Sequence, residues 1–277
     1  MDRPFISLLT DFGLRDPSAA ICRGVIAAIA PDAIVVDLSH EVRKYAIRDG
    51  ALLLWCALPY LPIGVHVAVV DPGVGTERRP IAIRSGRGDV LVGPDNGLLL
   101  PALERIGGLA EVRRLGNRDL FLEPVSSSFH GRDVFSPVGA HLAAGVPFEQ
   151  VGPVLDRATL VELDLPPVRI GDGRLETGVV YVDTFGNVKL AGLVSDLTAA
   201  LGPLASGDRL ALEITGSGAA TARTVEVPWA LTFGERPAGE PLVYEDSYGR
   251  ACVAVNQGDA GRQLGLVEDL ALTVRRV

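Results

Sequence analysis

An apolar run, Val67-Ala68-Val69-Val70, stops at a carboxylate, Asp71. The turn Pro72-Gly73-Val74-Gly75 follows, with Arg78 and Arg79 just beyond. Such a run reads as a strand buried on both faces, as in a parallel sheet. Asp71 then sits at the carboxyl end of that strand, the edge where open α/β sheets bind ligands. The glycines allow a tight turn and a close backbone approach. Arg78 is placed to fold back over Asp71. Taken alone, the pair reads better as a strand-end carboxylate capping its own turn and neutralised by an arginine. The functional reading gains weight because polar strand ends recur along the chain.

At 277 residues the chain suits one large domain or two ordinary ones. With 48% hydrophobic residues it can bury a sizeable core. A net charge of −8 argues against nucleic acid as the main partner and suits a cationic ligand. Cys22, Cys56 and Cys252 are odd in number and show no CxxC or zinc spacing. They read as reduced thiols in a cytoplasmic protein. The start, Met1-Asp2-Arg3-Pro4, has no signal-peptide character. Residues 51–70 are uncharged, but Pro59, Pro62 and Gly64 divide them into helix, turn and strand rather than a membrane span.

Strands are expected at residues 5–10, 33–38 and 65–70, with helices at 19–30, capped by Ser18, and at 47–58. Three strand–helix steps in succession imply a mainly parallel α/β sheet flanked by helices. Short strands at 81–84 and 90–92, a helix at 98–106 and a further helix through His141 follow. Prolines and glycines cluster at residues 163–173, which sets domains at 1–166 and 167–277. Beyond them, short segments at 176–182, 209–214, 222–227, 242–244, 251–255 and 270–274 read as strands of a smaller β-barrel or sandwich, with one helix at 194–201. No internal repeat stands out.

Several chemistries lack their motifs. There is no P-loop, no dinucleotide fingerprint, no nucleophile elbow and no metal-type histidine spacing. His66 and His141 lie on apolar segments and read as core histidines. His130, in Phe129-His130-Gly131-Arg132-Asp133, sits in a polar loop ahead of a helix and is open to either reading.

Leu9-Thr10-Asp11-Phe12-Gly13, Asp71-Pro72-Gly73-Val74-Gly75 with Arg78, Pro94-Asp95-Asn96-Gly97-Leu98, Phe129-His130-Gly131-Arg132-Asp133, Phe185-Gly186-Asn187 and Asn256 occur in that order. This ordered set resembles the S-adenosyl-L-methionine (SAM) hydroxide adenosyltransferases, or SAM hydrolases, relatives of the fluorinases and chlorinases. The resemblance implies an α/β N-terminal domain, a β-rich C-terminal domain and a homotrimer with active sites between subunits. It implies hydrolysis of SAM to adenosine and L-methionine, with no cofactor and no metal. The family's Asp-Arg-His set falls on Asp71, Arg78 and His130, and its ribose-diol carboxylate on Asp11. The methionine end would meet Asp16, Asp183 and Ser247, with Ser18 and Tyr248 among the substrate-binding residues. The adenine would lie near Phe185 and Asn187, with backbone contacts at Val255, Asn256 and Gln257. Tyr45, Asn96 and Phe129 would complete the pocket. Halogenases lack a carboxylate at Asp71 and carry a hydroxyl residue at Gly131, so the chain resembles the water-using branch. Ser18 departs from the pattern, because the hydrolases usually carry an aromatic residue there.

The chemistry suits these residues. A sulfonium leaves as a neutral thioether and needs no general acid. Water is the weak partner, so a carboxylate, a guanidinium and an imidazole around one water would orient and activate it. Asp71 and His130 are the candidate proton acceptors, with Arg78 holding Asp71 ionised. Three alternatives stand beside this reading: a halide-using adenosyltransferase, a non-catalytic SAM or adenosine sensor, and a metal-dependent hydrolase using the strand-end aspartates.

Overall fold

The computed structural model describes residues 3–215 and 222–277. Met1 and Asp2, part of the N-terminus read above, lie outside them. The chain divides into two compact units, one ending at Asp164 and one spanning Leu165–Val277.

The first unit is built on strands β1 (Phe5–Thr10), β2 (Ile34–Ser39), β3 (Val65–Val69), β4 (Pro80–Ser85), β5 (Val90–Pro94) and β6 (Leu109–Arg114), in the order β2-β1-β3-β5-β4-β6. β2, β1, β3 and β5 pair in parallel. The β4–β5 and β4–β6 pairings are antiparallel, so the sheet is mixed rather than simply parallel. The cause is local. Gly86-Arg87-Gly88 joins β4 to β5 as a tight hairpin, leaving no room for a crossover helix.

Side chains of successive residues point to opposite faces. Ile6, Leu8, Val65, Val67 and Val69 join one core, which includes Ile26 of α1 (Ser18–Ile29) and Val138 of α4 (Ser136–Ala143). Leu9, Ala68 and Val70 join the other, with Leu54 of α2 (Ile47–Ala57) and Ala102 of α3 (Leu100–Leu103). β3 is therefore apolar on both faces, as its composition requires. The helix expected at residues 98–106 shrinks to α3, because Pro101 lacks an N–H and Gly107-Gly108 turns the chain at positive φ. Ser18 is the first residue of α1 and not its cap; Pro17 takes the cap position, with no side-chain cap bond.

His66 is fully buried, as expected. Ser7 Oγ lies 2.8 Å from its Nδ1 and Asp89 Oδ1 lies 3.0 Å from its Nε2. Burial raises the Asp89 pKa, but hydrogen bonds from His66 and Arg87 outweigh it and hold the carboxyl well below the usual range. His141 is only half-buried on α4, not a core residue.

The second unit contains β7 (Arg169–Gly171), β8 (Arg174–Val182), β9 (Val188–Leu193), β10 (Arg209–Ile214), β11 (Arg223–Pro228), β12 (Pro241–Glu245), β13 (Arg250–Val255) and β14 (Ala271–Arg276). The order is β11-β10-β14-β8-β9-β13-β12, with β7 on β8. All these pairings are antiparallel. A bridge between Trp229 and Val243 brings the two ends of the sheet together, giving a nearly closed barrel. The helix α5 (Val194–Leu201) contributes Leu197 and Leu201 to its core, while the short α6 (Ala260–Gln263) follows β13. Among the described residues no helix is long and apolar enough to cross a membrane.

Candidate active site

Asp71 stands two residues beyond the end of β3, and the Pro72–Gly75 turn returns the chain so that Arg78 faces it. Arg78 Nε donates to Asp71 Oδ1 at 3.0 Å, and Arg78 Nη2 donates to Oδ2. The fork is buried: Asp71 and Arg78 side chains are 5% and 7% exposed. Gly75 lies at φ +77, and a Cβ there would sit 2.3 Å from the Ser127 carbonyl oxygen. The close approach that glycine permits is thus to the neighbouring loop, which leads directly to His130.

His130 precedes a π-helical turn, Gly131–Phe135, that runs into α4. Its Nδ1 lies 3.1 Å from Arg78 Nη2. A guanidinium has donors only, so Nδ1 must accept and the imidazole proton rests on Nε2. Arg78 also lies over the Phe135 ring, 5.3 Å from its centroid. Burial pushes the Asp71 pKa up, and the charge and hydrogen bonds of Arg78 pull it back only in part. Burial, then the charge of Arg78, pushes the His130 pKa down. The three groups form one coupled unit of a carboxylate, a fixed cation and a neutral imidazole.

Asp11 follows β1 on the adjacent strand end. Its Oδ2 accepts the Tyr45 N–H at 2.9 Å and its carbonyl accepts Lys44 Nζ at 2.5 Å. Tyr45 holds φ +66, a conformation that non-glycine residues rarely adopt. Phe12 and Phe129 meet edge to face at 5.7 Å. A cleft of about 230 Å³ is lined by Asp11, Phe12, Lys44, Tyr45, Asp71, Phe129, His130 and Gly131. A Cβ on Gly131 would lie 2.9 Å from the Phe12 ring, so a larger residue there would displace that ring.

The second unit carries its own cleft, about 920 Å³. Two hairpin turns shape it. In Asp183-Thr184-Phe185-Gly186-Asn187, Asp183 Oδ1 accepts the N–H groups of Phe185 and Asn187, each at 2.9 Å. In Asp246-Ser247-Tyr248-Gly249-Arg250, Asp246 Oδ1 accepts those of Tyr248 and Arg250, each at 2.9 Å. Gly186 and Gly249 take the same left-handed conformation, at φ 81 and 87. The two turns are one motif used twice, aspartate-hydroxyl-aromatic-glycine. They present Phe185, 77% exposed, and Tyr248 to the same cleft. Asp183 Oδ2 also accepts Asn187 Nδ2 at 3.0 Å, and Asp246 Oδ2 receives Lys189 Nζ at 2.6 Å. Gln257 holds φ +55 beside Val255 and Asn256. Below the cleft, burial pushes the Cys252 thiol up to about 12.

Asp11, Tyr45, Asp71, Phe129 and His130 thus line the N-terminal cleft, with Arg78 bonded behind Asp71. Asp183, Phe185, Asn187, Ser247, Tyr248, Val255, Asn256 and Gln257 line the C-terminal one. Three residues named from the sequence line neither. Asp16 is exposed, Ser18 begins α1, and Asn96 bridges loops, donating to the Val70 carbonyl at 2.9 Å and accepting from Leu98 N–H at 3.2 Å. Sequence reasoning passed over Lys44, Lys189, Leu231, Phe233, Tyr244, Asp246 and Asp259. One signal was available. Lys44 and Lys189 are the only lysines in a chain otherwise supplied with arginine, and each lines a cleft.

Residues 6–152 match the SAM hydroxide adenosyltransferase N-terminal domain, and residues 177–272 match the C-terminal domain. An (R)-S-adenosyl-L-methionine hydrolase from Salinispora tropica is 45% identical, over 95% of this chain and 94% of that protein. One from Thermus thermophilus is 40% identical, over 96% and 97%. A fluorinase from Actinopolyspora mzabensis lies further off, at 27% identity over 99% and 98%. Among solved structures, an uncharacterised conserved protein from Thermotoga maritima superimposes with a TM-score of 0.89 at 34% identity, covering 98% of this chain and all of that one. With both family domains matched in order, and the Asp71–Arg78–His130 unit assembled at a strand end, the chain belongs to the SAM hydroxide adenosyltransferase family.

Proposed function

We propose that the protein hydrolyses SAM to adenosine and L-methionine, with water attacking C5′. The observation that carries this reading is the Asp71–Arg78–His130 unit, which lines the N-terminal cleft through Asp71 and His130. The C5′–O bond forms as the C5′–S bond breaks, and the bonding pair leaves with sulfur as a neutral thioether. The proton lost by water goes to Asp71, whose raised pKa suits it to accept and whose oxygens keep lone pairs beyond those facing Arg78. His130 presents Nε2–H and stabilises hydroxide character at the attacking oxygen. Arg78 holds both partners in register. A positioned base of this kind contributes about 10²–10⁴-fold. Hydroxide and sulfonium cancel charge as they meet, so a dry cleft favours the step.

Asp11 takes the ribose diol, and the second cleft takes adenine against Phe185 and the methionine end near Ser247 and Tyr248. No cofactor or metal enters this scheme. Among the described residues no group of three His, Cys, Asp or Glu converges in a ligand-like cluster. The halide-using alternative is disfavoured, because Phe12 fills the space beside Gly131 where a hydroxyl residue would stand. We further propose a homotrimer in which the N-terminal unit of one copy meets the C-terminal unit of the next. Exposed apolar side chains at both clefts, Tyr45 on one, Phe185 and Leu231 on the other, support that assembly. Cys22, Cys56 and Cys252, none of them in a disulfide, fit a cytoplasmic setting.

The test is incubation of the purified protein with SAM, with and without chloride and EDTA, and separation of the products. Adenosine and methionine in equal amounts, indifferent to both additions, are expected. A 5′-halo-nucleoside, loss of turnover in EDTA, or bound but unconsumed SAM would each overturn the reading.

A further inference from the structure

His40 has no part in the reaction proposed above, yet its ring is buried against the strand end that carries Asp11. Its Nδ1 lies 2.8 Å from Thr10 Oγ1. That hydroxyl already accepts the Phe12 N–H at 3.2 Å, so it can spend its one proton on the imidazole. His40 Nδ1 then accepts, and its own proton sits on Nε2, which lies 3.2 Å from Asp37 Oδ1 without meeting it in hydrogen-bond geometry. Asp37 is held in turn by Arg23 at 3.0 Å. The backbone repeats the connection, since the His40 carbonyl accepts the Gly13 N–H at 2.7 Å. The amides of the two residues after Asp11 are therefore both tied to His40, one through Thr10 and one directly. Glu41 extends the seam by accepting the Leu14 N–H at 2.9 Å, and Lys44 and Tyr45 close it on Asp11 itself.

We infer that Thr10 and His40 are positioning residues for Asp11: the Thr10–His40 chain, with the His40 carbonyl on Gly13, fixes the Asp11-Phe12-Gly13 turn and so sets the carboxylate against the ligand's diol. Neither residue touches the ligand. Both act through the placement of one that does. The inference rests on the adenosyl reading above, and its signature is on binding rather than on chemistry at C5′.

The experiment compares wild type with Thr10→Val, His40→Leu, His40→Asn and the double variant Thr10→Val/His40→Leu. It measures steady-state SAM hydrolysis, adenosine affinity by calorimetry and thermal melting. Thr10→Val keeps the β-branched shape and removes the hydroxyl. It should raise KM for SAM about tenfold, the scale of one well-placed hydrogen bond, and weaken adenosine in parallel, with kcat within about threefold. His40→Leu should match it, and the double variant should be no worse than either single change, because all three break one chain. His40→Asn keeps an acceptor near the position of Nδ1 and should recover most of the loss. Wild-type KM and adenosine affinity in Thr10→Val, or a fall in kcat at unchanged KM, would overturn the inference. A wild-type protein that neither binds adenosine nor consumes SAM would bring down the functional reading itself, and this inference with it.

Discussion

In the N-terminal cleft both oxygens of Asp71 are gripped by the Arg78 side chain, whereas in the C-terminal cleft one oxygen each of Asp183 and Asp246 holds the amides of its own turn and the other meets Asn187 or Lys189. The first arrangement leaves a carboxylate with a raised pKa next to a neutral imidazole, groups able to exchange a proton with a ligand. The second uses its carboxylates to fold two identical turns, and what those turns offer is an exposed aromatic face. Asp183 and Asp246 would count as acid–base candidates by residue type alone. One oxygen of each is engaged by the amides of its own turn. The contrast sets groups able to exchange a proton, in the first unit, against an exposed aromatic face in the second.

The largest expected effect comes from Asp71→Asn. Single-turnover and steady-state assays should show kcat down about 10²–10⁴-fold while SAM binding stays measurable. Retained turnover would erase the distinction between the clefts. Phe185→Ala probes the other side. Removing a base-stacking surface is worth about 1–3 kcal/mol, so KM should rise roughly tenfold or more with kcat little changed. A collapse of kcat there would mean that the second unit shares in the chemistry.

Gly131→Ser tests the packing that separates this site from a halide-holding one. The new side chain meets the Phe12 ring, and overpacking of this kind costs about 1–3 kcal/mol, read as a lower melting temperature. No 5′-halo product should appear in chloride. The smallest effect is on pH. Asp71 must be ionised to accept a proton, and burial raises its pKa, so kcat/KM should fall on acidification with a midpoint above the ordinary Asp value of 3.8. Burial and Arg78 push the His130 pKa below its ordinary 6.5, so a limb from His130 falls on the acid side of that value. A midpoint at or below 3.8 would remove Asp71 from the role of acceptor.

Much of the N-terminal site was legible because its parts lie where strands end. An apolar run halted by Asp71, followed by Pro-Gly and an arginine, can be read without coordinates. The barrel was harder. β10 and α5 have clean hydrophobic periods, and their bounds match the expectation residue for residue. β9 escaped because Lys189 and Gly192 interrupt it, and β6 because Glu111, Arg113 and Arg114 disguise an edge strand. The repeated turn was present in the sequence but hidden by exchange, conservative at Thr184 against Ser247 and Phe185 against Tyr248, and not at Asn187 against Arg250. The tie between Thr10 and His40 spans 30 residues and exists only because β1 and β2 pair in parallel. No local pattern announces it.

The most direct test of the central claim is hydrolysis of SAM in ¹⁸O-labelled water, with adenosine analysed by mass spectrometry. Water attack at C5′ places one ¹⁸O on the 5′ oxygen of adenosine and none in methionine. Unlabelled adenosine, or a nucleoside still carrying sulfur, would contradict the account.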